Sequence, residues 1–397
     1  IIYEEKQKSL QNIFDLETKL FPCLVDMKFK GVRIDVQKAN EFKGFLIRRK
    51  NKITKIIKSK TGIDIQLWAA SSIKQLLDFL KVDDYQITAK SKMPKLPKDY
   101  LRNHKEVLLR MVAKAREADK NLNTFVEGLL SYVHEGRIHA DINQIRSDQG
   151  GTVTGRFSYS NPNLQQLPAR NKDLGPMIRS LFLPEEGCTW GCFDYSQQEP
   201  RLVVHYAALH NFPSVYDVVD SYKDDVNTDF HKTVAEMANI PRSQAKTINL
   251  GLFYGMGKAK LQAELGVSKE KADELFDQYH SKVPFVKQLM NAVMSASQNK
   301  GQIKTLLGRR CRFPRWEPIL RGNDWGKYVP AEDYDRMKEL QEMGPHMKDD
   351  EGEFIKDKDG NKKINYWHEN PSRRAMTYKA LNKLIQGSAA DMTKQAM

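Results

Sequence analysis

Cysteine is scarce: four in 397 residues, Cys23, Cys188, Cys192 and Cys311, without paired spacing or neighbouring histidines. That excludes a disulfide framework and a zinc site, and it fits free thiols in a reducing compartment. No apolar run approaches the roughly 20 residues that span a bilayer. The opening IIYEEKQKSLQNIF has neither the apolar core nor the cleavage site of a signal peptide. A soluble, cytoplasmic protein with no membrane partner is expected. Acidic residues are also in deficit, 50 against 64 Lys and Arg, for a net charge of +14. This favours a polyanionic partner, nucleic acid ahead of a membrane surface, over the plainer reading of a solvated basic exterior. An initiating Met, internal repeats and low-complexity tracts are missing too. The chain therefore reads as a piece of something longer, yet large enough for two or three domains.

What is present falls into blocks. Residues from about 4 to 60 read as helical around a turn at Gly31. A further helix is expected from Arg102 to about Tyr132, carrying Lys105, Arg110, Lys114, Arg116 and Lys120, either as a solvated face or as a surface for DNA. Between Gly136 and Pro168 the pattern turns to short strands and polar turns of the kind that hold sugar and phosphate contacts. Helices follow from about Asp229 to Lys300. From Arg315 to Pro371 the sequence is charged and poorly periodic and reads as an insertion, with EFIKDKDGNKKINYW as a hairpin turning at Asp359 and Gly360. RRAMTYKALNKLIQGSAADMTKQAM closes the chain as a helix.

Two segments carry chemistry. In GCFDYSQQEPRLVVHYAALH, Gly191 to His210, a core strand is expected to end at Asp194 and a helix to begin at Gln197. Pro200 lies in its first turn, and Ser196 with Glu199 matches a capping box. A lone aspartate at a strand end is ordinarily a cap or turn residue. In PRSQAKTINLGLFYGMG, Arg242, Lys246, Leu250 and Tyr254 recur every fourth residue, one helical stripe of two cations, an aliphatic and an aromatic side chain. That order suits a nucleoside triphosphate lying along the helix, and it equally suits an amphipathic helix whose cations face water.

In this order and at this separation the two segments resemble motifs A and B of the family A DNA polymerases. LFPCLVDMKFKGVRID is similar to that family's approach to the polymerase domain, TVTGRFSYSNPNLQQLP to its template-primer loop, DFHKTVAEM to the segment before the fingers helix, and ALNKLIQGSAAD to the helix leading to motif C. The resemblance implies an α+β right-hand fold. Thumb and palm base would occupy 1–149, the template-primer loop and the palm with its antiparallel sheet and motif A 150–205, the fingers with motif B 206–314, the insertion 315–371, and a helix returning to the palm 372–397.

It also implies roles. Asp194 would ligate two magnesium ions, with the carbonyl of Tyr195 completing one site. Arg242, Lys246 and His231 would hold the triphosphate of an incoming dNTP, with Gln197 close by. Leu250 would pack against its sugar, Tyr254 would stand beside the templating base, and Glu199 would exclude a ribose 2'-hydroxyl. Arg156, Asn163, Gln165, Asn382 and Gln386 would contact primer-template DNA, chiefly its minor groove and backbone. The implied reaction is templated addition of dNTPs to a primer 3' end, in a bacteriophage replicating inside a bacterial cell.

Leu250 departs from the Phe or Tyr usual at its position. The His-Asp-Glu strand of motif C, with the second metal-binding aspartate, is missing, and Asp224, Asp225 and Asp391 stand in the wrong contexts to replace it. A truncated chain, or a polymerase split over two polypeptides, is the expectation. A single-subunit RNA polymerase and a non-catalytic primer-template binding subunit are the alternatives, and Glu199 argues against the first.

Overall fold

The computed structural model describes residues 10–88, 91–148, 150–168, 171–253, 256–320, 328–357 and 360–397. They form two compact units, one of residues 23–143 and 158–192, the other of 1–22, 144–157 and 193–397. No helix among the described residues is long and apolar enough to cross a membrane.

Helix α1 (Gln11–Lys30) ends at Gly31, whose φ of +63° carries the chain directly into strand β1 (Val32–Ile34). Only glycine fits there, because a Cβ would lie 2.8 Å from both the Ile138 carbonyl and His139 Nδ1. Asp35 then caps α2 (Val36–Thr61) by accepting from the Lys38 N–H, and Gly62 ends it in the left-handed conformation.

In the first unit α2 packs against α3 (Val107–Lys120), and a π-helical stretch at 121–127 continues α3. The predicted long basic helix is thus real but interrupted, and two of its cations are structural. Arg116 donates to the Leu67 carbonyl and lies over the Trp68 ring, while Arg110 donates to the carbonyls of His104 and Lys105. Lys105, Lys114 and Lys120 stay exposed. A four-stranded antiparallel sheet runs in the order β2 (Val133–His134), β3 (Arg137–Ile138), β1, β6 (Phe182–Leu183). Beside it in sequence, β4 (Asp141–Asn143) pairs with β5 (Ser158–Ser160), Asp141 facing Ser160.

The second unit is mainly helical. Helices α4 (Gln198–Leu209), α5 (Phe230–Ala238), α6 (Arg242–Phe253), α7 (Lys269–Lys282), α8 (Pro284–Lys300) and α9 (Ala380–Ala396) enclose one apolar core. At its centre Phe230 sits 6.0 Å from Phe253 and 6.5 Å from Phe285, ring to ring. Each such fully buried ring contributes about 1.5–3 kcal/mol. Strand β7 (Trp316–Pro318) pairs with β8 (Ser372–Arg374), so the segment 319–371 leaves and rejoins the scaffold side by side. Its own small core gathers Ala331, Met337, Leu340 and Trp367, and bridges Lys348 to Phe354 and Lys356 to Lys362 fold the charged part into a meander. Asp359, placed at the hairpin tip by sequence, lies outside the described residues.

Candidate functional site

The strand expected before Asp194 does not form. Residues 189–195 belong to no helix or strand and are solvent-facing, with Trp190 61 % and Phe193 97 % exposed. A strand needs a hydrogen-bonded neighbour, and none of the described strands pairs with this segment, so its alternating apolar side chains have no face to bury against. Asp194 is exposed and has no hydrogen-bonding or ionic partner among the described residues.

The capping box is also absent. Gln197, not Ser196, occupies the position before α4, with φ +52°, and no side chain caps the helix. The left-handed turn instead aims the Gln197 amide at the start of α5. Its Nε2 donates to the Thr228 carbonyl at 2.7 Å, and its Oε1 accepts from the Phe230 N–H at 2.8 Å. Glu199, freed from capping, pairs with Arg156.

Asp229 caps α5, accepting from the N–H groups of His231 (2.9 Å) and Lys232 (3.3 Å). Its other oxygen binds the Arg242 guanidinium at 2.6 Å. Burial pushes the Asp229 carboxyl upward, but Arg242 and the two backbone donors outweigh it and hold the group below its ordinary value. One turn further along α6 stands Lys246, exposed and without an ionic partner among the described residues. His231 is buried beside them, and its Nδ1 lies 2.9 Å from the Asn249 amide nitrogen. Burial lowers the His231 pKa; Asp229 opposes this, while Lys246 and Arg242 reinforce it.

Arg242, Lys246 and Leu250 lie along one side of α6, with Ile248 and Leu252 buried on the far side and Ala245 and Asn249 buried toward the Arg242 edge. Tyr254, the predicted fourth member, lies outside the described residues. The structure adds two groups that no spacing rule singled out. Asp229 carries a readable signal, an aspartate just before an amphipathic run, whereas Asn249 carries none.

Asn382 and Gln386 sit one turn apart on α9, both half-buried. Helix α9 is tied to α4 by Tyr206 Oη with Ser388 Oγ at 2.7 Å and by Gln198 Nε2 donating to the Ala389 carbonyl at 3.1 Å. In the other unit Asn163 accepts from the Gln165 N–H at 3.1 Å, so its side chain shapes the turn in which both residues are exposed.

Asp391 is committed elsewhere. It is 0 % exposed, bonds Thr305, and pairs with Arg309 Nε at 2.7 Å. Arg309 also reaches Glu17, which takes Lys394 at 2.8 Å, and Lys394 donates its remaining hydrogen bond to the Gln144 carbonyl. Two anions and two cations thus balance in one buried cluster. Burial disfavours the charge of Glu17, yet Lys394 and Arg309 prevail and its pKa is lowered. Arg309 packs so closely over Gly155 that a Cβ there would lie 2.7 Å from its Nε.

For a divalent metal, the Asp194 carboxylate and the Tyr195 carbonyl are hard oxygen donors, right in kind for magnesium. They are too few for two ions: no group of three or more His, Cys, Asp or Glu among the described residues could hold a metal.

The chain as a whole is similar to known proteins. The model of "DNA polymerase family A" matches residues 36–397. A DNA-directed DNA polymerase of Pseudomonas phage M6 is 31% identical over 99% of this chain and 59% of its own length. DNA polymerase DpoZ of Acinetobacter phage SH-Ab 15497 is 30% identical over 79% and 56%, and a thermostable DNA polymerase I of Thermus thermophilus is 29% identical over 99% and 41%. The chain thus spans about half the length of these curated relatives. Among solved structures, the POL domain of Pol1 from M. smegmatis, in complex with DNA primer-template and dNTP, superposes with a TM-score of 0.67 at 23% identity. That likeness covers 95% of this chain and 58% of the other, and speaks to the fold.

Proposed function

The chain belongs to DNA polymerase family A, and from that membership we propose that it carries the nucleotide- and primer-binding machinery of a DNA-directed DNA polymerase, adding dNTPs to a primer 3' end. The observation that carries the proposal is the convergence of Arg242, Lys246 and His231 at the junction of α5 and α6, with Asp229 holding Arg242 in place. Two exposed cations and a buried imidazole form a clamp for a triphosphate. The phage relatives support replication of a bacteriophage genome as the setting.

In this reading Lys246 and Arg242 bind the β and γ phosphates and offset the charge that grows on pyrophosphate as it departs. Removing such a clamp costs a few kcal/mol of transition-state stabilisation. Arg242 arrives oriented by Asp229 and exchanges part of that contact for phosphate. Leu250 packs against the deoxyribose, Tyr254 stands beside the templating base, and Glu199 occupies the space of a 2'-hydroxyl. Arg156, Asn163, Gln165, Asn382 and Gln386 contact the duplex, and readout there is degenerate, as an enzyme that accepts every base pair requires. The regions 1–149, 150–205 and 206–314 serve as thumb and palm base, as palm with template-primer loop, and as fingers, and 372–397, whose helix α9 spans Ala380–Ala396, returns to the palm.

Asp194 and the Tyr195 carbonyl would hold magnesium, which when bound activates the 3'-hydroxyl and stabilises the leaving oxygen. A second carboxylate is required. Since Asp391 is buried and committed to Arg309 and Thr305 and the described residues hold no carboxylate cluster, we assign it to a segment or second polypeptide bearing a His-Asp-Glu strand. Primer extension tests the proposal: the chain supplemented with such a segment extends a primer with dNTPs and magnesium. DNA binding that persists with no extension under any supplement would leave a non-catalytic primer-template subunit instead.

A further inference from the structure

We propose that Asn249 is a positioning residue: its amide donates to Nδ1 of His231 and thereby fixes the ring proton on Nε2, presenting a neutral N–H to the phosphates of the bound nucleotide. The inference rests on the reading of α6 as a triphosphate clamp. It adds a device that makes the clamp selective for phosphate oxygens in one orientation.

Three observations converge. Asn249 is 0 % exposed and its Nδ2 lies 2.9 Å from His231 Nδ1. Its Oδ1 is buried without a partner among the described residues, where the histidine contact is the one polar interaction of the amide. His231 Nε2 has no partner among the described residues and is not fully sealed from solvent, so it is the ring nitrogen left open to a ligand.

The amide could be turned over, with Oδ1 accepting from an Nδ1–H. His231 could then donate at Nε2 only as an imidazolium. Of the charged groups facing the ring, Arg242 and Lys246 on α6 oppose that second proton, as does burial, and only Asp229 favours it. Asp229 is in turn neutralised by Arg242 at 2.6 Å. The consistent state is a neutral ring, a lone pair at Nδ1 and the proton at Nε2. The Phe230 ring, edge-on at 6.4 Å, and the packing of α5 on α6 hold the imidazole plane.

The test reads the ring directly. Long-range 1H–15N spectra of the full chain, with the His231 signals assigned by His231→Gln among the nine histidines, are expected to show Nδ1 without and Nε2 with a proton at neutral pH. A proton on Nδ1 overturns the proposal without any nucleotide being present. Asn249→Asp, whose carboxylate can only accept, is expected to move the proton to Nδ1 or protonate both nitrogens. An unchanged tautomer in that variant also overturns the proposal. Asn249→Leu is expected to weaken dATP binding roughly tenfold, the loss of one well-placed hydrogen bond, with deoxyadenosine binding unmoved; equal losses for both would make Asn249 merely structural. If the wild-type ring spectrum is as expected but dATP does not bind, the nucleotide reading of the site fails while the tautomer assignment stands.

Discussion

Asp229 Oδ2 receives Arg242 Nε at 2.6 Å while Asp229 Oδ1 caps α5, so one carboxylate fixes both the start of a helix and the direction of a cation thirteen residues away.

Removing that carboxylate separates its two duties. Asp229→Ala is expected to cost about 0.5–2 kcal/mol of stability through loss of the cap. It also loosens Arg242, raising the KM for dNTPs more than it lowers DNA affinity. Urea denaturation and steady-state extension read the two effects.

The same group sets an acid limit. Its pKa is lower in the folded protein than in the unfolded chain, where it has its ordinary value. The stability it contributes is therefore fully present above about pH 4 and is lost as pH falls through the folded value. Melting temperatures of wild type and Asp229→Asn between pH 3 and 6 are expected to converge at the acid end; a constant difference would exclude the linkage.

Asp194 has no partner among the described residues, so Asp194→Ala is expected to change stability by less than about 0.5 kcal/mol. Extension by the supplemented enzyme is expected to vanish while primer-template binding persists. Chelation of magnesium should abolish extension to the same extent in the wild type.

Glu199 pairs with Arg156. Glu199→Ala is expected to admit ribonucleotides, measured as the ratio of rNTP to dNTP incorporation. Arg156→Ala leaves the carboxylate in place and should weaken primer-template binding with little change in that ratio.

Within the buried cluster, Lys394→Met leaves Glu17 facing one cation fewer at a site where Lys394 is 2 % exposed. Breaking a pair of this kind costs about 3–5 kcal/mol. Glu17→Leu combined with Lys394→Met is expected to regain part of that loss, since it removes both charges together. Denaturant midpoints of the three proteins decide it.

Helix α6 was legible because the four-residue spacing of Arg242, Lys246 and Leu250 and the alternation with buried apolar positions are local properties. The turn at Gly31 and most of the closing helix were legible for the same reason, but the expected first residues of that helix form β8 (Ser372–Arg374) and a 3-10 turn (Thr377–Lys379) instead, because Trp316–Pro318 lies alongside to pair with the strand. The beginning of α4 was not, because Ser196 and Glu199 satisfied a capping rule that the left-handed Gln197 overrides, a conformation that sequence spacing does not encode. The strand before Asp194 was expected from alternation alone, yet alternation makes a strand only where another strand lies alongside. The Glu17, Arg309, Asp391 and Lys394 cluster joins residues up to 377 positions apart, beyond any window in which pattern can be read. Asn249 was hidden because an asparagine in a helix carries no signal until the histidine it meets is known.

The amide of Gln197 holds the Thr228 carbonyl and the Phe230 N–H at once, three residues after Asp194. Two short bonds from one side chain resist both sliding and swinging, so the first turn of α5 and the backbone just beyond Asp194 travel as one piece. The start of α5 and the start of α4 are thereby coupled through one side chain as well as through core packing, while Asp194, three residues earlier in an exposed and unpaired stretch, is left free to turn toward whatever it binds.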